Sequence, residues 1–308
     1  MMERRFYLDA CDASAAVRIA NTTMFAAATD YDNTLRIFNR DRPGVPTFTL
    51  DVTSFLQPRD PEQTEADIEG AALLNRRIYW IGSHSRGASG EVREFHRRFF
   101  ATTLVHDHFR ARIGTVGTPY SELLDDLLAC EELRPYGLQA AEALPPQVEG
   151  GLNIEGLTTT TADELLMGFR NPIPEGRALL VKMLNPAEVV NGRERARFAF
   201  GAHLDLGGRG IRAIEYVRSV NSYLIVAGPY DDRHDFAVYH WSGRPEDTPK
   251  LMEVEWLDEI TPEELVYIEA GPLDLIVDFL SDDMTNSPGP TQGPLRTFIA
   301  TTLPIPFY

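Results

Sequence analysis

The chain has 308 residues, of which 43% are hydrophobic and 24% are charged, and its formal net charge is −17 with a pI of about 4.8. This balance is typical of a globular protein, and its acidity argues against nucleic acid or an anionic membrane surface as partner, because both bind a basic face. The N-terminus lacks the apolar segment of a signal peptide, and no run approaches the length of a membrane span. We therefore expect a cytoplasmic protein whose partner is a small molecule or another protein.

The predicted strands recur as a repeat along the chain. Its first copy, at residues 14–38, has a strand, an Asn-containing turn and a second strand, and its last copy lies at residues 262–283. Three stronger copies lie between them and share an Ile-Glu pair, a polar turn, an apolar run and a glycine. These are "DIEGAALLNRRIYWIG" from Asp67, "NIEGLTTTTADELLMG" from Asn153 and "AIEYVRSVNSYLIVAG" from Ala213. In all three the glutamate (Glu69, Glu155 or Glu215) precedes the glycine by 13 residues.

Further strand-like segments follow each copy, such as "TLRIF", "RALLVKML" and "FAVYHW". Units of about 50 residues with about four short strands are typical of β-propeller blades. The fold class predicted is therefore all-β, with residues 1–308 forming a single propeller domain. The chain has room for five or six blades, and we expect six. The N-terminal strand and the late segment "RTFIATTL" would share the sixth blade and close the ring.

Residues 118–147, between the second and third repeats, contain the clearest helical pattern in the chain. Leu123, Leu124, Leu127 and Leu128 recur at helical spacing, and prolines end the pattern. We predict a helical insertion here, which either packs against the ring or contacts a partner or substrate.

The acidic phrases place candidate ligands on the inner strands. Side chains alternate along a strand, so Asp67 shares a face with Glu69, and Asn153 shares one with Glu155. If Glu69, Glu155 and Glu215 converge on one end of the central channel, their repulsion requires compensation. A divalent cation, calcium first, suits such carboxylate and amide oxygens. The alternative is structural pairing of these glutamates with Arg170 and Arg212.

The combination of these phrases resembles the bacterial family named Domain of Unknown Function 3616. The residues that carry the resemblance are "EADIEGAALLNRRIYWIGSHSRGASGEVREFHRRFFATTL", "GLNIEGLTTTTADELLMGFRNP", "GGRGIRAIEY" and the late "LSDD". The resemblance covers most of the chain and implies a β-propeller, more distantly similar to phytase-like and gluconolactonase-like propellers. The latter use a glutamate of this kind as a metal ligand. The family name implies no activity.

Polar loops follow the second strand of each repeat and are predicted to line one rim, where propellers place functional residues. They include "TDYDN" (29–33), "SHSRGASG" (83–90) and "SDDMTNSPG" (281–289). His84 is the candidate general acid or base, since the ordinary pKa of histidine lies near neutrality. The alternative role of His84 is a hydrogen bond to the backbone. Asp282 and Asp283 are candidate ligand residues of the same rim.

Two functions of different classes follow. The first is a binding or scaffold protein that uses its polar, acidic channel or its insertion. The second is a hydrolase of an ester, lactone or phosphoester, in which Glu69, Glu155 and Glu215 hold a divalent cation and His84 or a metal-bound water transfers protons. Fold alone does not choose between them.

Overall fold

The computed structural model describes residues 2–58, 64–270, 274–282 and 297–306, and in this part of the chain twenty strands form five sheets of four strands each. All strand pairs within the sheets are antiparallel. In four of the sheets the strands follow one another in chain order from the first strand outwards, which is the arrangement of a propeller blade.

The strands have the following bounds. The N-terminal strand is β1 (Glu3–Leu8), and the first blade is β2 (Ala15–Arg18), β3 (Met24–Ala28), β4 (Thr34–Asn39) and β5 (Phe48–Asp51). The second is β6 (Ile68–Leu74), β7 (Arg77–Gly82), β8 (Phe99–His106) and β9 (Ala111–Tyr120). The third is β10 (Asn153–Thr159), β11 (Leu165–Asn171), β12 (Ala178–Met183) and β13 (Phe198–Leu204). The fourth is β14 (Gly210–Val217), β15 (Ser222–Gly228), β16 (Ala237–Trp241) and β17 (Lys250–Met252), and the fifth begins with β18 (Pro262–Ala270), β19 (Asp274–Asp282) and β20 (Thr297–Pro306).

The five blades close into a ring around one axis. The first strands contact one another in the cyclic order β2, β6, β10, β14, β18 and back to β2, so these inner strands line the central channel. The fifth blade is completed by β1, which pairs with β20 from Glu3 opposite Thr302 to Leu8 opposite Thr297. Joining the two ends of the chain in one sheet leaves no gap in the ring.

The expected count of six blades is wrong, because the described chain forms five. The predicted pairing of the N-terminal strand with "RTFIATTL" is confirmed, but these strands do not make a separate blade. They add to the sheet that the last repeat copy begins, so that one blade has the order β18, β19, β20, β1.

Apolar faces of neighbouring sheets form the core. Between the fifth and first blades, Tyr7, Phe25, Phe38 and Phe298 make one aromatic cluster, with ring centroids 5.0 Å apart for Tyr7 and Phe298. Tyr7 is completely buried there, whereas Phe6, its neighbour in β1, is 48% exposed. The cluster therefore packs the closing strand against the first blade through the inward-facing Tyr7.

The helices are short. They are α1 (Thr53–Leu56), α2 (Leu123–Ala129), α3 (Leu138–Ala141) and α4 (Pro186–Val190), with 3-10 turns at Glu94–His96, Glu131–Tyr136, Pro174–Gly176 and Leu257–Glu259. Within the segment predicted to be helical, residues 118–120 still belong to β9, and α2, a 3-10 turn and α3 follow. Leu123, Leu124 and Leu127 are buried in the apolar cluster shared with the second and third blades. None of the helices in the described ranges is both long enough and apolar enough to cross a membrane.

Replacing Tyr7 tests the closure. Tyr7→Ala should lower the free energy of unfolding by about 3–5 kcal/mol, because it leaves a cavity among aromatic rings that hold the closing strand. Phe6→Ala, in the same strand but exposed, should change it by less than about 1 kcal/mol. Urea unfolding followed by tryptophan fluorescence measures both. Equal losses for the two variants would contradict this account of ring closure.

Candidate functional site

Four of the five inner strands begin with a β-bulge whose extra residue is charged. The pairing register with the second strand shifts at Glu69 in β6, at Glu155 in β10, at Arg212 in β14 and at Glu263 in β18. A bulged residue is released from the strand ladder, and bulges commonly re-aim side chains beside functional sites. We call the end of the channel where the inner strands begin the first mouth, and the end where they finish the second mouth.

The glycine in the "IEG" phrase follows from the close approach of neighbouring inner strands. A Cβ atom at Gly70 would lie 2.8 Å from the Cβ of Leu157, and one at Gly156 would lie 2.9 Å from Cγ2 of Ile211. In β14 the corresponding residue after the bulge is Ala213. In each "IEG" phrase the glutamate therefore lies on the bulge, and the glycine beside it provides space.

Arg212 is the centre of an ion-pair network at the first mouth. Its Nε lies 3.3 Å from Oε2 of Glu155, and its Nη2 donates to Oε2 of Glu263. Glu155 also accepts hydrogen bonds of 2.9 Å from Nη1 of Arg170 and from the amide of Asn153. Burial opposes the charge of Arg212, yet Glu155 and Glu263 raise its pKa above the ordinary value. For Glu155 the geometry thus matches the arginine alternative.

Arg170 reaches this network because β11 carries a bulge of its own. The pairing passes from Asn153 opposite Asn171 to Ile154 opposite Phe169, which leaves Arg170 outside the ladder. The remaining guanidinium nitrogens donate to the carbonyl oxygens of Pro229 and Asp231 in the next blade. Arg170 thereby connects the third and fourth blades at the rim.

A cluster of carboxylates lies on the other side of the same mouth. Oxygens of Asp30, Asp67 and Glu69 all lie within 4.8 Å of one another. Burial, followed by repulsion from Glu155, Asp67 and Asp30, raises the pKa of Glu69 well above its ordinary value. Such repulsion favours either a proton or a cation among these oxygens.

Histidine and serine side chains flank this cluster. Asp67 accepts a hydrogen bond from the hydroxyl of Ser83, and its Oδ2 lies 3.1 Å from Nδ1 of His96. Burial lowers the pKa of His96, although the charge of Asp67 acts in the opposite direction. The cluster thus combines three carboxyl groups with an imidazole that is neutral at pH 7.

His84, the candidate acid or base from the sequence, is buried beneath the rim. Only 1% of it is exposed, and Nδ1 lies 2.8 Å from the carbonyl oxygen of Gly82. Burial lowers the pKa of His84 to about 4, so the ring is neutral at physiological pH. This placement matches the backbone-bonded alternative rather than a group that exchanges protons with a ligand.

The structure does not bring Glu215 to the first mouth. The bulge of β14 is Arg212, and Glu215 lies three residues further along the strand, opposite Leu224. It lines a cavity at the second mouth together with Arg18 and Tyr267. The expectation that Glu69, Glu155 and Glu215 converge is therefore corrected: the first two meet, and an arginine occupies the third equivalent position.

Asp282 and Asp283 are the last two candidates from the sequence. Asp282 is the final residue of β19, opposite Phe298. Asp283 lies outside the described residues.

Sequence reasoning missed Asp30, Glu263 and His96 as members of this mouth. Asp30 belongs to the predicted rim loop "TDYDN", in which the sequence does not distinguish it from Asp32. Glu263 and His96 offered no signal at the sequence level, because only the β18 bulge and the turn before β8 bring them to the channel end.

Arg212 is predicted to be essential for stability. Arg212→Met should lower the free energy of unfolding by about 3–5 kcal/mol, because it leaves buried carboxylates without their central cation. Arg209→Met, three residues away, removes an ion pair with the half-exposed Asp235 and hydrogen bonds to the carbonyl oxygens of Leu206 and Asp235, and should cost about 1 kcal/mol or less. Urea unfolding at pH 7 measures both. Similar losses would contradict the network's importance.

Glu215 is predicted to make stability fall as pH rises. Burial raises the pKa of Glu215 to about 8, so the folded protein binds a proton that the unfolded chain loses near pH 4.5. Its stabilising contribution is complete below pH 4.5 and declines up to about pH 8. Glu215→Gln should therefore be more stable than wild type by on the order of 1–3 kcal/mol at pH 8 and nearly equal to it at pH 5. A difference that does not vary with pH in urea unfolding would contradict this.

Three solved structures that are similar to this chain share little sequence with it. Glutaminyl cyclase from Myxococcus xanthus is 11% identical over 99% of this chain and 97% of its own, with a TM-score of 0.45. The six-bladed, fucose-recognising lectin of the fungus Aleuria aurantia is 11% identical over 90% and 71%, with a TM-score of 0.41. The Cps50 (Swd1) propeller domain of Myceliophteria thermophila is 8% identical over 97% and 99%, with a TM-score of 0.39. Likeness this weak carries no argument about the chemistry of the site.

Comparison with curated proteins gives no match. A family model, in contrast, matches residues 12–95 and 110–266, which is well over half of the chain and includes the inner strands of the first four blades. The resemblance seen in the repeat phrases is thereby confirmed. The chain belongs to the family described as protein of unknown function (DUF3616).

Proposed function

We propose that this propeller is a binding protein whose first mouth holds a divalent cation, calcium first, on Asp30, Asp67 and Glu69. The observation that carries the proposal is the convergence of their carboxylate oxygens to within 4.8 Å. Asp30 follows β3 of the first blade, and Asp67 and Glu69 begin the inner strand of the second. The cation would therefore bridge two blades.

The donor set suits a hard cation. Calcium takes six to eight oxygen ligands and tolerates irregular geometry, whereas softer metals prefer imidazole or thiolate. All three side chains are partly rather than fully buried, so an ion can reach them from the channel. A bound cation would also offset the repulsion that raises the pKa of Glu69.

The arginines of the mouth support this assignment by their placement. In the described ranges, the ion pairs of Arg170 and Arg212 go to Glu155 and Glu263. These two arginines lie on the third and fourth blades, and the acidic cluster of the first and second blades is the more negative part of the mouth. This asymmetry argues for the cation on Glu69 and against one on Glu155.

Metal-assisted hydrolysis of an ester, lactone or phosphoester is the second candidate function. The observation that favours it is the position of His96. Its Nδ1 lies 3.1 Å from Asp67 and 3.4 Å from the hydroxyl of Ser85. A neutral imidazole beside a cation site can accept a proton from a water that the cation polarises. In this proposal His96 replaces His84 as the acid–base group.

The test is thermal and urea unfolding of the EDTA-treated protein with added calcium, magnesium or manganese. A cation that binds only the folded state should stabilise it by about 2.7 kcal/mol at a hundredfold excess over its Kd. Asp67→Asn and Glu69→Gln should lose this response. Without cation, Glu69→Gln should be more stable than wild type, because it removes a repelled carboxylate.

Glu215→Gln provides the matched control, since it makes the same change at the other end of the channel and should keep the full response to the cation. The same preparations, tested with p-nitrophenyl acetate and p-nitrophenyl phosphate, separate binding from hydrolysis. Cation-dependent turnover that Glu69→Gln and His96→Asn lose would support the hydrolase. No stabilisation of wild type by any of the three cations would overturn the cation site.

A further inference from the structure

The second mouth contains a cavity that the preceding proposal does not use. Its volume is about 260 Å³, and all five inner strands contribute to its wall. One residue from each is Arg18 of β2, Leu73 of β6, Thr158 of β10, Glu215 of β14 and Tyr267 of β18. A pocket built from rigid strands of every blade is preformed, as small-molecule sites usually are.

A second cavity of about 250 Å³ adjoins it on the side of the second and third blades. The two share Leu73, Thr159, Tyr216 and Arg218 as wall residues. Together they offer room for a ligand of modest size with an apolar or aromatic portion. The rings of Tyr216 and Tyr267 provide flat apolar faces for that portion.

Glu215 provides the acidic end of this pocket. It lies at the wall with its carboxyl half-buried, and Arg18 is the cation that attracts it. Arg18 is, however, committed elsewhere, since Nη1 donates to the carbonyl oxygen of Ile268 and its guanidinium lies 5.9 Å from the ring of Tyr267. Burial, and after it the charge of Glu215, raises the pKa of Glu264 on the neighbouring strand. Glu215 is therefore poorly compensated in the protein alone, and burial raises its pKa to about 8.

Arg218 provides the positive end. It follows the last residue of β14, lies exposed at the edge of the pocket, and is three residues from Glu215 along the chain. The tyrosines between and around these charges are fixed by hydrogen bonds: Tyr216 donates to Asn221 over 2.6 Å, and the Tyr267 hydroxyl lies 2.9 Å from that of Ser219. The pocket thus presents a carboxyl, aromatic faces held by hydrogen bonds, and a guanidinium at its exposed edge.

We propose that the second mouth binds a small zwitterion of the α-amino-acid type, with its ammonium group on Glu215, its carboxylate on Arg218 and its side chain against Leu73 and Tyr216. The ammonium group supplies the compensation that Glu215 lacks. Charge-assisted hydrogen bonds at both ends make the recognition specific, because a ligand with only one charge leaves the other protein group without its partner. The site is independent of the cation site at the first mouth.

Thermal-shift screening of the twenty L-amino acids at concentrations up to about 10 mM, followed by calorimetry, tests the proposal. At least one apolar or aromatic amino acid, with L-leucine and L-phenylalanine tested first, should bind. Its N-acetyl and amide derivatives should bind at least about tenfold more weakly, because each lacks one charge. Glu215→Gln and Arg218→Gln should each weaken binding of the free amino acid by a similar factor.

Glu188→Gln on α4 and the exposed Arg244→Gln are the matched controls and should bind as wild type does. Arg218 is a surface residue, so its variant keeps the proposal testable even if Glu215→Gln alters folding, which circular dichroism would show. Three results would overturn the proposal: no amino acid binds, binding is unchanged in Arg218→Gln, or simple alkylamines bind as tightly as the amino acid. None of these results bears on the cation site, since the two sites use different residues.

Discussion

Five inner strands that start around one axis bring their first side chains together, and four of these strands place a charged residue there on a bulge. Three of the four are glutamates, whose repulsion opposes ring closure unless their charge is offset. Arg212 provides the offset for Glu155 and Glu263 from the fourth blade, and Arg170 adds to it from the second strand of the third. The arrangement depends on this compensation, because unpaired buried charge costs several kcal/mol.

The arginines offset the negative charge on only one side of the first mouth, and the candidate site lies on the other side. Both arginines lie on the side of the third to fifth blades, whereas Asp30, Asp67 and Glu69 gather on the first and second. The first mouth therefore contains both an ion-pair network and an acidic cluster. The ion pairs stabilise the ring, and the negative charge of the cluster can attract a cation.

The inner strands all run in the same direction through the channel, so each one supplies both ends. In β14, Arg212 belongs to the first mouth, and Glu215 belongs to the second. In β6, Glu69 likewise lies at the first mouth and Leu73 at the second. Because the two ends receive different side chains, one is mainly acidic and the other carries both charges and aromatic rings. Different ligands for the two ends follow from this difference.

The all-β repeat and its strand-turn-strand units can be read from the sequence alone, because alternation, turn residues and apolar runs are local properties. The joining of the two chain ends was predicted from the closure that a ring of blades requires. The sequence also showed that Glu69 and Glu155 begin equivalent strands. Only the tertiary structure decided that the blades number five and that Arg212, not Glu215, is the equivalent of these glutamates. The 13-residue spacing concealed this, since a bulge shifts the register without changing any local pattern. The partners of each charge were likewise decided by which blades meet at the axis, which no single segment encodes.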